Sequence, residues 1–316
     1  MASIISGTAA AEGLLADLTR DVARFSQVHG YAPTLVAVLV GDDPASHIYV
    51  RKKIEQCRKV GMESVEHRLP ADCSEEDLLA LIASLNADER VHGILVQLPL
   101  PAQIDSGKVL DTIDPRKDVD GFHPVNVFRL STGTGGLVPC TPMGCMILLR
   151  SVLPDLKGKQ AVVIGKSNIV GKPVAMLLLE QGCTVTVCGR HTRNLAEVCR
   201  NADIIVAAAG TPHLVKGYWV KAGAVVIDVG INRIALDDGR SRIVGDVASD
   251  EIGHAAAFTP VPGGVGPMTI ACLAAEYVQA ARRRAWCWRR TNRHSFSLEG
   301  EGYGALLSGA KLGAVG

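Results

Sequence analysis

The sequence predicts an α/β protein of two α/β domains, the second a Rossmann-type, doubly wound parallel sheet. Seven short runs of apolar or alternating character are the candidate strands: residues 35–40, 64–69, 93–98, 160–164, 183–187, 204–208 and 225–229. Helical patterns separate most of them, and strands that alternate with helices form parallel sheets. Two such units in tandem predict a ligand site in the cleft between them.

In the first domain the pattern predicts a helix over residues 8–28, because apolar residues recur there at helical spacing before Gly30. A turn-forming stretch then precedes Ser46, which we interpret as the N-cap of a helix that stops at Gly61. Another helix begins at Ser74, which starts a sequence similar to a capping box.

In the second domain helices are expected over residues 173–181 and 194–200, each between two candidate strands. The final regular helix should cover residues 268–281 and pack on the first domain. Beyond Arg282 an Arg/Trp run and a Gly/Ala-rich end follow, which favours a disordered tail over a basic interaction patch.

Composition excludes several classes of protein. The 316 residues are 47% hydrophobic with a net charge of +1, and residues 1–281 alone carry −4 (26 Lys/Arg against 30 Asp/Glu), which argues against a nucleic-acid partner. Nine cysteines without a Cys-x-x-Cys pair argue against a zinc site or disulfides and favour the reducing cytoplasm. No apolar run approaches the roughly 20 residues that span a bilayer, and no secretory leader is recognisable.

Tyr49 and Lys53 form a candidate catalytic pair, because residues four apart share one face of a helix. An aromatic ring for a flat substrate beside a lysine amine is a reasonable start for an active site. The same spacing is also typical of a solvated helix face, so the pair alone decides nothing.

A glycine-rich turn, residues 165–171, follows a strand and precedes a helix, which is the position of a dinucleotide pyrophosphate site. Its sequence is a variant of the glycine-rich dinucleotide-binding pattern, so a glycine turn with a purely structural role is the alternative interpretation. The next strand ends in residues 189–193, which contain no carboxylate. Arg190, helped by Lys166, is therefore expected to bind a 2′-phosphate, which favours NADP over NAD; a solvated arginine is the competing interpretation.

Other polar residues follow the strands of the first domain. Gln97 ends the third strand, where the carboxyl ends of parallel strands face a ligand crevice. Asp118 and Asp120 are suited to a helix cap or a ligand with adjacent N–H donors, and less to a metal. Residues 259–269, rich in Pro and Gly, form either a rigid surface for a flat ligand or an ordinary loop.

Six segments together resemble the bifunctional methylenetetrahydrofolate dehydrogenase/methenyltetrahydrofolate cyclohydrolase family. They occur in the family's order between about residue 3 and residue 281, and they are residues 49–53, 93–101, 117–122, 165–171, 226–232 and 260–269. The resemblance implies NADP-dependent oxidation of 5,10-methylenetetrahydrofolate to the methenyl cation, then hydrolysis to 10-formyltetrahydrofolate. It also implies a homodimer and a role in one-carbon metabolism, purine biosynthesis and amino-acid biosynthesis.

The resemblance assigns the domains as well. Residues 1–140 would form the folate-binding catalytic domain, completed by a helix at 268–284, and residues 141–267 the NADP-binding Rossmann domain. Residues 285–316 would be a disordered tail, which departs from the family.

Site residues follow from the same resemblance. Lys53 would be the central acid/base, Tyr49 the ring that stacks on the folate, Gln97 the partner of Lys53, and Asp120 the pterin anchor; Ser46 also falls on a family site position. The folate site would further include Leu98, Pro262 and Gly263. The NADP site would include Gly165, Lys166, Ser167, Ile169, Gly171, Arg190 and Ile231. No metal site is expected.

Two rival functions remain at this point. A two-domain dehydrogenase of another substrate, such as a shikimate-type enzyme, shares the layout but should lack the set of Tyr49, Lys53, Gln97 and Asp120. A catalytically silent scaffold is the second rival, and it is disfavoured because each matched position carries a chemically competent residue.

Overall fold

The computed structural model describes residues 1–236 and 240–292 of the chain. Its helices are α1 (Gly7–His29), α2 (Pro44–Lys59), α3 (Glu75–Ala87), α4 (Ser106–Thr112), α5 (Pro124–Thr132), α6 (Cys140–Val152), α7 (Gly171–Glu180), α8 (Leu195–Arg200) and α9 (Val265–Asn292). Its strands are β1 (Ser3–Ile4), β2 (Thr34–Val40), β3 (Glu63–Leu69), β4 (Gly93–Val96), β5 (Gln160–Ile164), β6 (Thr184–Cys188), β7 (Ile204–Ala207), β8 (Val225–Asp228), β9 (Asn232–Ala235), β10 (Ser241–Val244) and β11 (Ala257–Phe258).

The described chain forms two compact units, named here by their main sheets. The three-stranded unit contains Gly13–Val138 and the described part of Ile270–Gly302, and the six-stranded unit contains Met1–Glu12 and Pro139–Thr269. Residues 1–12 were assigned to the first domain in the sequence analysis, but β1 pairs with β11 in the six-stranded sheet.

The three-stranded sheet has the order β3-β2-β4, and both pairings are parallel. Its central strand β2 is buried over residues 35–40, as expected of a strand covered on both faces. One face of the sheet packs on α3 and α4 through Val36, Val38, Leu78 and Val109. On β4, Gly93 gives room to α9, since a Cβ there would lie 2.2 Å from the ring of Tyr277.

The six-stranded sheet has the order β1-β11-β8-β7-β5-β6 and is parallel throughout. After β5 the chain adds β6 on one side and then crosses to place β7 and β8 on the other. This reversal between β5 and β7 is the topological switch point of a doubly wound sheet. The prediction of an α/β fold with a Rossmann-type second sheet is therefore confirmed.

Several elements differ from the sequence-based expectation. Helix α2 begins at Pro44, and its N-cap is Asp43, whose Oδ2 accepts a hydrogen bond from the Ser46 N–H at 2.8 Å. The assignment of Ser46 as N-cap was therefore wrong, because Asp followed by Pro is the stronger start signal. Helices α4, α5 and α6, which lie between β4 and β5 along the chain, were not predicted from the sequence.

The last helix, α9, is longer than expected and continues to Asn292. It therefore includes residues 285–292, which the sequence analysis assigned to the tail, while residues 293–316 lie outside the described residues. In the described part of the chain no helix combines the length and apolar character needed to cross a membrane.

Lys117 shows how the loop before Asp118 is held. Its side chain is fully buried, and Nζ donates to the carbonyl oxygens of Leu85, Asn86 and Asp88 at 2.7, 2.7 and 2.8 Å. These carbonyls lie at the C-terminal end of α3, where a helix has unpaired acceptors and favours a positive charge. One ammonium group thus joins this loop to α3.

We expect Lys117→Met to destabilise the protein by roughly 2–4 kcal/mol, because three buried carbonyls lose a charged donor. Urea unfolding followed by circular dichroism measures this change. Lys108→Met is the matched control, since Lys108 is exposed and pairs with Glu75 at the surface; it should leave the midpoint unchanged. Equal midpoints for the two variants would contradict the structural role of Lys117.

Candidate active site and nucleotide site

The polar centre of the three-stranded unit is the contact between Lys53 and Gln97. Lys53 lies on α2, and its Nζ donates to Gln97 Oε1 at 3.2 Å. Gln97 follows β4 directly, and its Nε2 donates to the Leu98 carbonyl at 2.6 Å. That bond fixes which end of the amide faces Lys53. The amide is therefore set to accept from the amine at the carboxyl end of a parallel strand.

Tyr49 lies one turn before Lys53 on the same helix, and 46% of its surface is exposed. Its ring is accessible to a ligand beside the Lys53 amine. Ser46 lies another turn earlier and is buried. The structure thus arranges the residues of α2 along one helix as the sequence spacing predicted.

Asp120 is electrostatically coupled to Lys53. Burial raises the pKa of the half-buried Asp120 carboxyl, the Lys53 charge lowers it, and the charge of Asp118 raises it further. The three-stranded unit therefore contains a lysine bound to an amide, with a carboxyl group near enough for its charge to interact with that of the lysine. Such a set can transfer protons and bind neighbouring N–H donors.

Asp118 holds the loop that carries Asp120. It is buried, and its carboxylate accepts from the N–H groups of Phe122 and His123 and from Asn126 Nδ2, at 3.2, 2.8 and 2.8 Å. The carboxylate thus binds N–H groups of its own loop, a role that the sequence interpretation did not include. Within the described residues no cluster of three or more metal-type ligands occurs.

The glycine-rich turn of the six-stranded unit depends on close backbone approach. Gly165 has φ +123°, and a Cβ there would lie 2.1 Å from the Ala208 carbonyl oxygen. Helix α7 begins at Gly171, where a Cβ would lie 2.1 Å from the Gly165 carbonyl oxygen. Ser167 Oγ accepts from the Val170 N–H at 3.2 Å and so fixes the turn. A turn that has glycine at both ends and leads into a helix N-terminus fits a pyrophosphate.

Two cationic residues adjoin this turn. Arg190 follows β6 and is exposed, and the aliphatic part of Lys166 lies beside Gly189, where a Cβ would be 3.4 Å from Lys166 Cδ. Gly189 is itself held by a hydrogen bond from its N–H to Thr192 Oγ1 at 2.9 Å. Residues 189–193 contain no carboxylate. The arrangement fits a phosphorylated ribose better than a free ribose.

The remaining predicted residues of the six-stranded unit are accessible. Ile169 and Ile231 are 46% and 56% exposed, and both follow the ends of parallel strands. Pro262 is exposed, and the Gly263 carbonyl accepts from the Thr8 N–H at 3.1 Å. The turn at 263–264 is tightly packed, because a Cβ on Gly7 would lie 1.7 Å from the Gly264 carbonyl oxygen.

Sequence reasoning missed two buried carboxylates of the six-stranded unit, Asp228 and Asp246. Burial raises the pKa of Asp228 to about 6; three backbone N–H donors oppose this shift, and the neighbouring Asp246 charge adds to it. A sequence signal does exist, because Asp246 follows Gly245 and Asp228 lies two residues before Gly230, each close to an apolar run. Their pairing across 18 residues is a tertiary contact that the local pattern does not contain.

Sequence comparison identifies the family. Residues 5–120 match the family model described as the tetrahydrofolate dehydrogenase/cyclohydrolase catalytic domain, and residues 139–285 match its NAD(P)-binding domain. The chain belongs to the tetrahydrofolate dehydrogenase/cyclohydrolase family. The family resemblance noted in the sequence is thereby confirmed, and with it the dehydrogenase and cyclohydrolase activities.

Alignments with bacterial relatives cover most of this chain and most of each relative. Bifunctional protein FolD 1 of Rhizorhabdus wittichii is 63% identical over 90% of this chain and 96% of its own length. The FolD protein of Zymomonas mobilis is 58% identical over 89% of this chain and 97% of its own.

Solved structures agree with the fold of this family member. The bifunctional FolD enzyme of Campylobacter jejuni superposes with a TM-score of 0.86 at 45% identity, covering 90% of this chain and 100% of its own. The Trypanosoma brucei FolD, solved with NADP cofactor and an inhibitor, gives 0.85 at 40% identity, covering 90% and 98%.

We expect Gly165→Ala to weaken NADP⁺ binding by at least about tenfold, because the new Cβ displaces the Ala208 carbonyl and the turn beside it. Isothermal titration calorimetry on the purified variant measures the affinity. Gly253→Ala is the control, since a Cβ there meets no atom within 4 Å. Unchanged NADP⁺ affinity in Gly165→Ala would remove this turn from the nucleotide site.

Proposed function

We propose that the chain oxidises 5,10-methylenetetrahydrofolate with NADP⁺ and hydrolyses the resulting methenyl cation to 10-formyltetrahydrofolate, with Lys53 as the acid/base. The observation that supports this most is the hydrogen bond from Lys53 Nζ to Gln97 Oε1 beside Asp120. Family membership supplies the reactions, and this contact supports the residues that perform them.

The hydrolysis needs a group that moves protons. Water adds to the carbon of the methenyl bridge, one C–N bond breaks, and one proton is released. A neutral Lys53 amine accepts a proton from the attacking water, and the ammonium returns one to the departing nitrogen. The Gln97 oxygen accepts from the Lys53 amine before and after this transfer and keeps it in place.

Substrate binding is assigned first to Tyr49 and Asp120. The exposed Tyr49 ring supplies a flat apolar surface for the folate, and the Asp120 carboxylate accepts paired N–H donors of the pterin edge. Leu98, Ser46, Pro262 and Gly263 are proposed as further folate-binding residues from their family positions. These roles rest on the family positions and on the accessibility of Tyr49 and Pro262.

The nucleotide is proposed to be NADP⁺, which supplies the hydride acceptor for the dehydrogenase reaction when bound. The N-terminal end of α7 and the turn at 165–171 would bind the pyrophosphate, with Ile169 and Ile231 beside it. Arg190 and Lys166 would bind the 2′-phosphate. The absence of a carboxylate in residues 189–193 supports NADP over NAD, as does the NADP complex of the Trypanosoma brucei relative.

The cellular setting is also a proposal. Six buried cysteines, Cys57, Cys73, Cys145, Cys183, Cys188 and Cys199, are free thiols, which fits a reducing compartment such as the cytoplasm. From the family resemblance we propose a homodimer that supplies one-carbon units for purine and amino-acid biosynthesis.

Lys53→Met should abolish methenyltetrahydrofolate hydrolysis while NADP⁺ binding survives, because methionine keeps the length of the side chain but transfers no proton. Loss of methenyl absorbance measures the hydrolysis, and calorimetry measures the nucleotide affinity. Lys52→Met, at the exposed neighbour on α2, is the control and should retain both. Hydrolysis at the wild-type rate in Lys53→Met would refute the assigned role.

Arg190→Ala should reduce the ratio of kcat/KM for NADP⁺ to that for NAD⁺ by roughly 10- to 100-fold, because a charge-assisted contact to the 2′-phosphate is lost. Initial rates with both nucleotides give this ratio. Arg200→Ala removes an exposed arginine at the end of α8 and should leave it unchanged. A preserved NADP preference in Arg190→Ala would show that another group reads the phosphate.

A further inference from the structure

Asp246 joins two loops of the six-stranded unit through its buried carboxylate. Oδ2 accepts from the N–H groups of Ala209 and Gly210 at 2.6 and 2.9 Å, in the loop that follows β7. Oδ1 accepts from the Thr211 N–H at 2.9 Å and from Asn232 Nδ2 at 2.8 Å. Asn232 follows the loop that leaves β8. The Asp246 side chain is fully buried.

A second buried carboxylate, that of Asp228, binds the backbone at Asp246. Its Oδ1 accepts from the N–H groups of Asp246 and Gly230 at 2.9 Å each, and its Oδ2 from the Val247 N–H at 2.9 Å. Both carboxylates lie so close to the backbone that only glycine fits beside them. A Cβ on Gly245 would lie 1.8 Å from Asp228 Oδ2, and one on Gly230 would lie 2.2 Å from Asp246 Oδ1.

The loop held by Asp246 also contacts the phosphate turn. Ala208, the residue before the three N–H donors, donates to the Ile164 carbonyl at 2.7 Å. Its own carbonyl oxygen occupies the space that a Cβ on Gly165 would need. Ala208 is thus tied to β5 and to the phosphate turn, and the residues held by Asp246 begin immediately after it.

Strand order indicates which half of the dinucleotide these loops would meet. Arg190 follows β6, on one side of β5, while β7 and β8 lie on the other. A dinucleotide extends across the switch point at the carboxyl ends of the strands. With the 2′-phosphate on the β6 side, the nicotinamide half belongs on the side of β7 and β8.

We propose that Asp246 is a positioning residue for the nicotinamide half of NADP⁺, acting through the loops at 209–211 and 230–232. The proposal rests on the NADP site proposed above. Asp246 does not itself need to reach the cofactor. It fixes three backbone N–H groups in the loop after β7 and the side-chain amide of Asn232 beyond β8. Small displacements of such loops affect reactions that depend on placement, and transfer between nicotinamide and substrate is one of these.

The test is Asp246→Asn, which keeps the size of the side chain but turns an amide NH₂ toward N–H donors. We expect the affinity for NADP⁺ to fall by roughly tenfold and the dehydrogenase kcat by roughly 10- to 100-fold. The affinity for 2′,5′-ADP, which carries the 2′-phosphate but lacks the nicotinamide, should stay within about twofold, as should cyclohydrolase kcat, because neither depends on the placement of the nicotinamide. Calorimetry gives both affinities. Hydrogen exchange of cofactor-free protein should show faster exchange in residues 209–211.

Asp203→Asn is the matched control in the same unit. Asp203 precedes β7, at the amino ends of the strands. Its carboxylate accepts from the Gln160 N–H at 3.0 Å and from Lys221 Nζ at 2.7 Å. This variant should change stability only, leaving NADP⁺ affinity and the ratio of the two activities as in the wild type. Parallel loss of both activities in Asp246→Asn, or equal weakening of NADP⁺ and 2′,5′-ADP, would overturn the proposal.

Asn232→Ala provides a second variant in case Asp246→Asn does not fold. It removes one donor to Asp246 from the β8 side, and Asn232 is only half-buried. We expect the same selective decrease, smaller in size, in NADP⁺ affinity and dehydrogenase kcat; unchanged values for both would reject the inference. Wild-type protein that binds no NADP⁺ would instead reject the proposed function.

Discussion

Buried carboxylates that bind loop N–H groups are the constraint on which both candidate sites depend. Loops that leave parallel strands have N–H groups without ladder partners, and burying an unpaired N–H is costly. In the three-stranded unit Asp118 accepts such groups, and in the six-stranded unit Asp228 and Asp246 do so. The carboxyl ends of the strands thereby become rigid without regular secondary structure, which is where ligands of such sheets bind.

Two lysines differ in burial and in hydrogen-bond partners, and these differences suit one to a structural role and the other to proton transfer. Lys117 is fully buried and bound to three carbonyls, so its proton is held in place by the fold. Lys53 is half-buried, and its Nζ donates to the neutral amide of Gln97. An amine that faces an amide can lose its proton without leaving a buried acceptor unpaired. The same residue type therefore anchors a loop in one place and is suited to proton transfer in the other.

Much of the fold could be predicted because the strands carry their own signal. The runs at β2, β5 and β8 are short, apolar and bounded by turn residues, and the structure places strands there. Helices α4 and α5 were missed because they have only seven and nine residues, too few for a helical period to stand out. Helix α6 contains Pro142 and Gly144, which obscure its helical pattern.

The site could be predicted to the extent that its residues lie in local motifs. The spacing of Tyr49 and Lys53 and the glycines at 165 and 171 are local, and the structure gives them the expected helix and turn. The contact of Asp246 with residues 209–211 spans 35 to 37 positions, and the cage around Lys117 spans 29 to 32. Such contacts are created by the tertiary fold, so a pattern of neighbouring residues does not contain them.

Strand β1 changes what can be treated as a separable domain. The segment that matches the nucleotide-binding family model begins at residue 139, yet the sheet of that unit is completed by Ser3–Ile4, which pair with β11. A protein expressed from residue 139 onward would leave β11 as an unpaired edge, open to association with other chains. It would also lack Gly7, whose backbone packs against the turn at Gly264. The nucleotide-binding half is continuous as a sequence pattern but discontinuous as a folding unit.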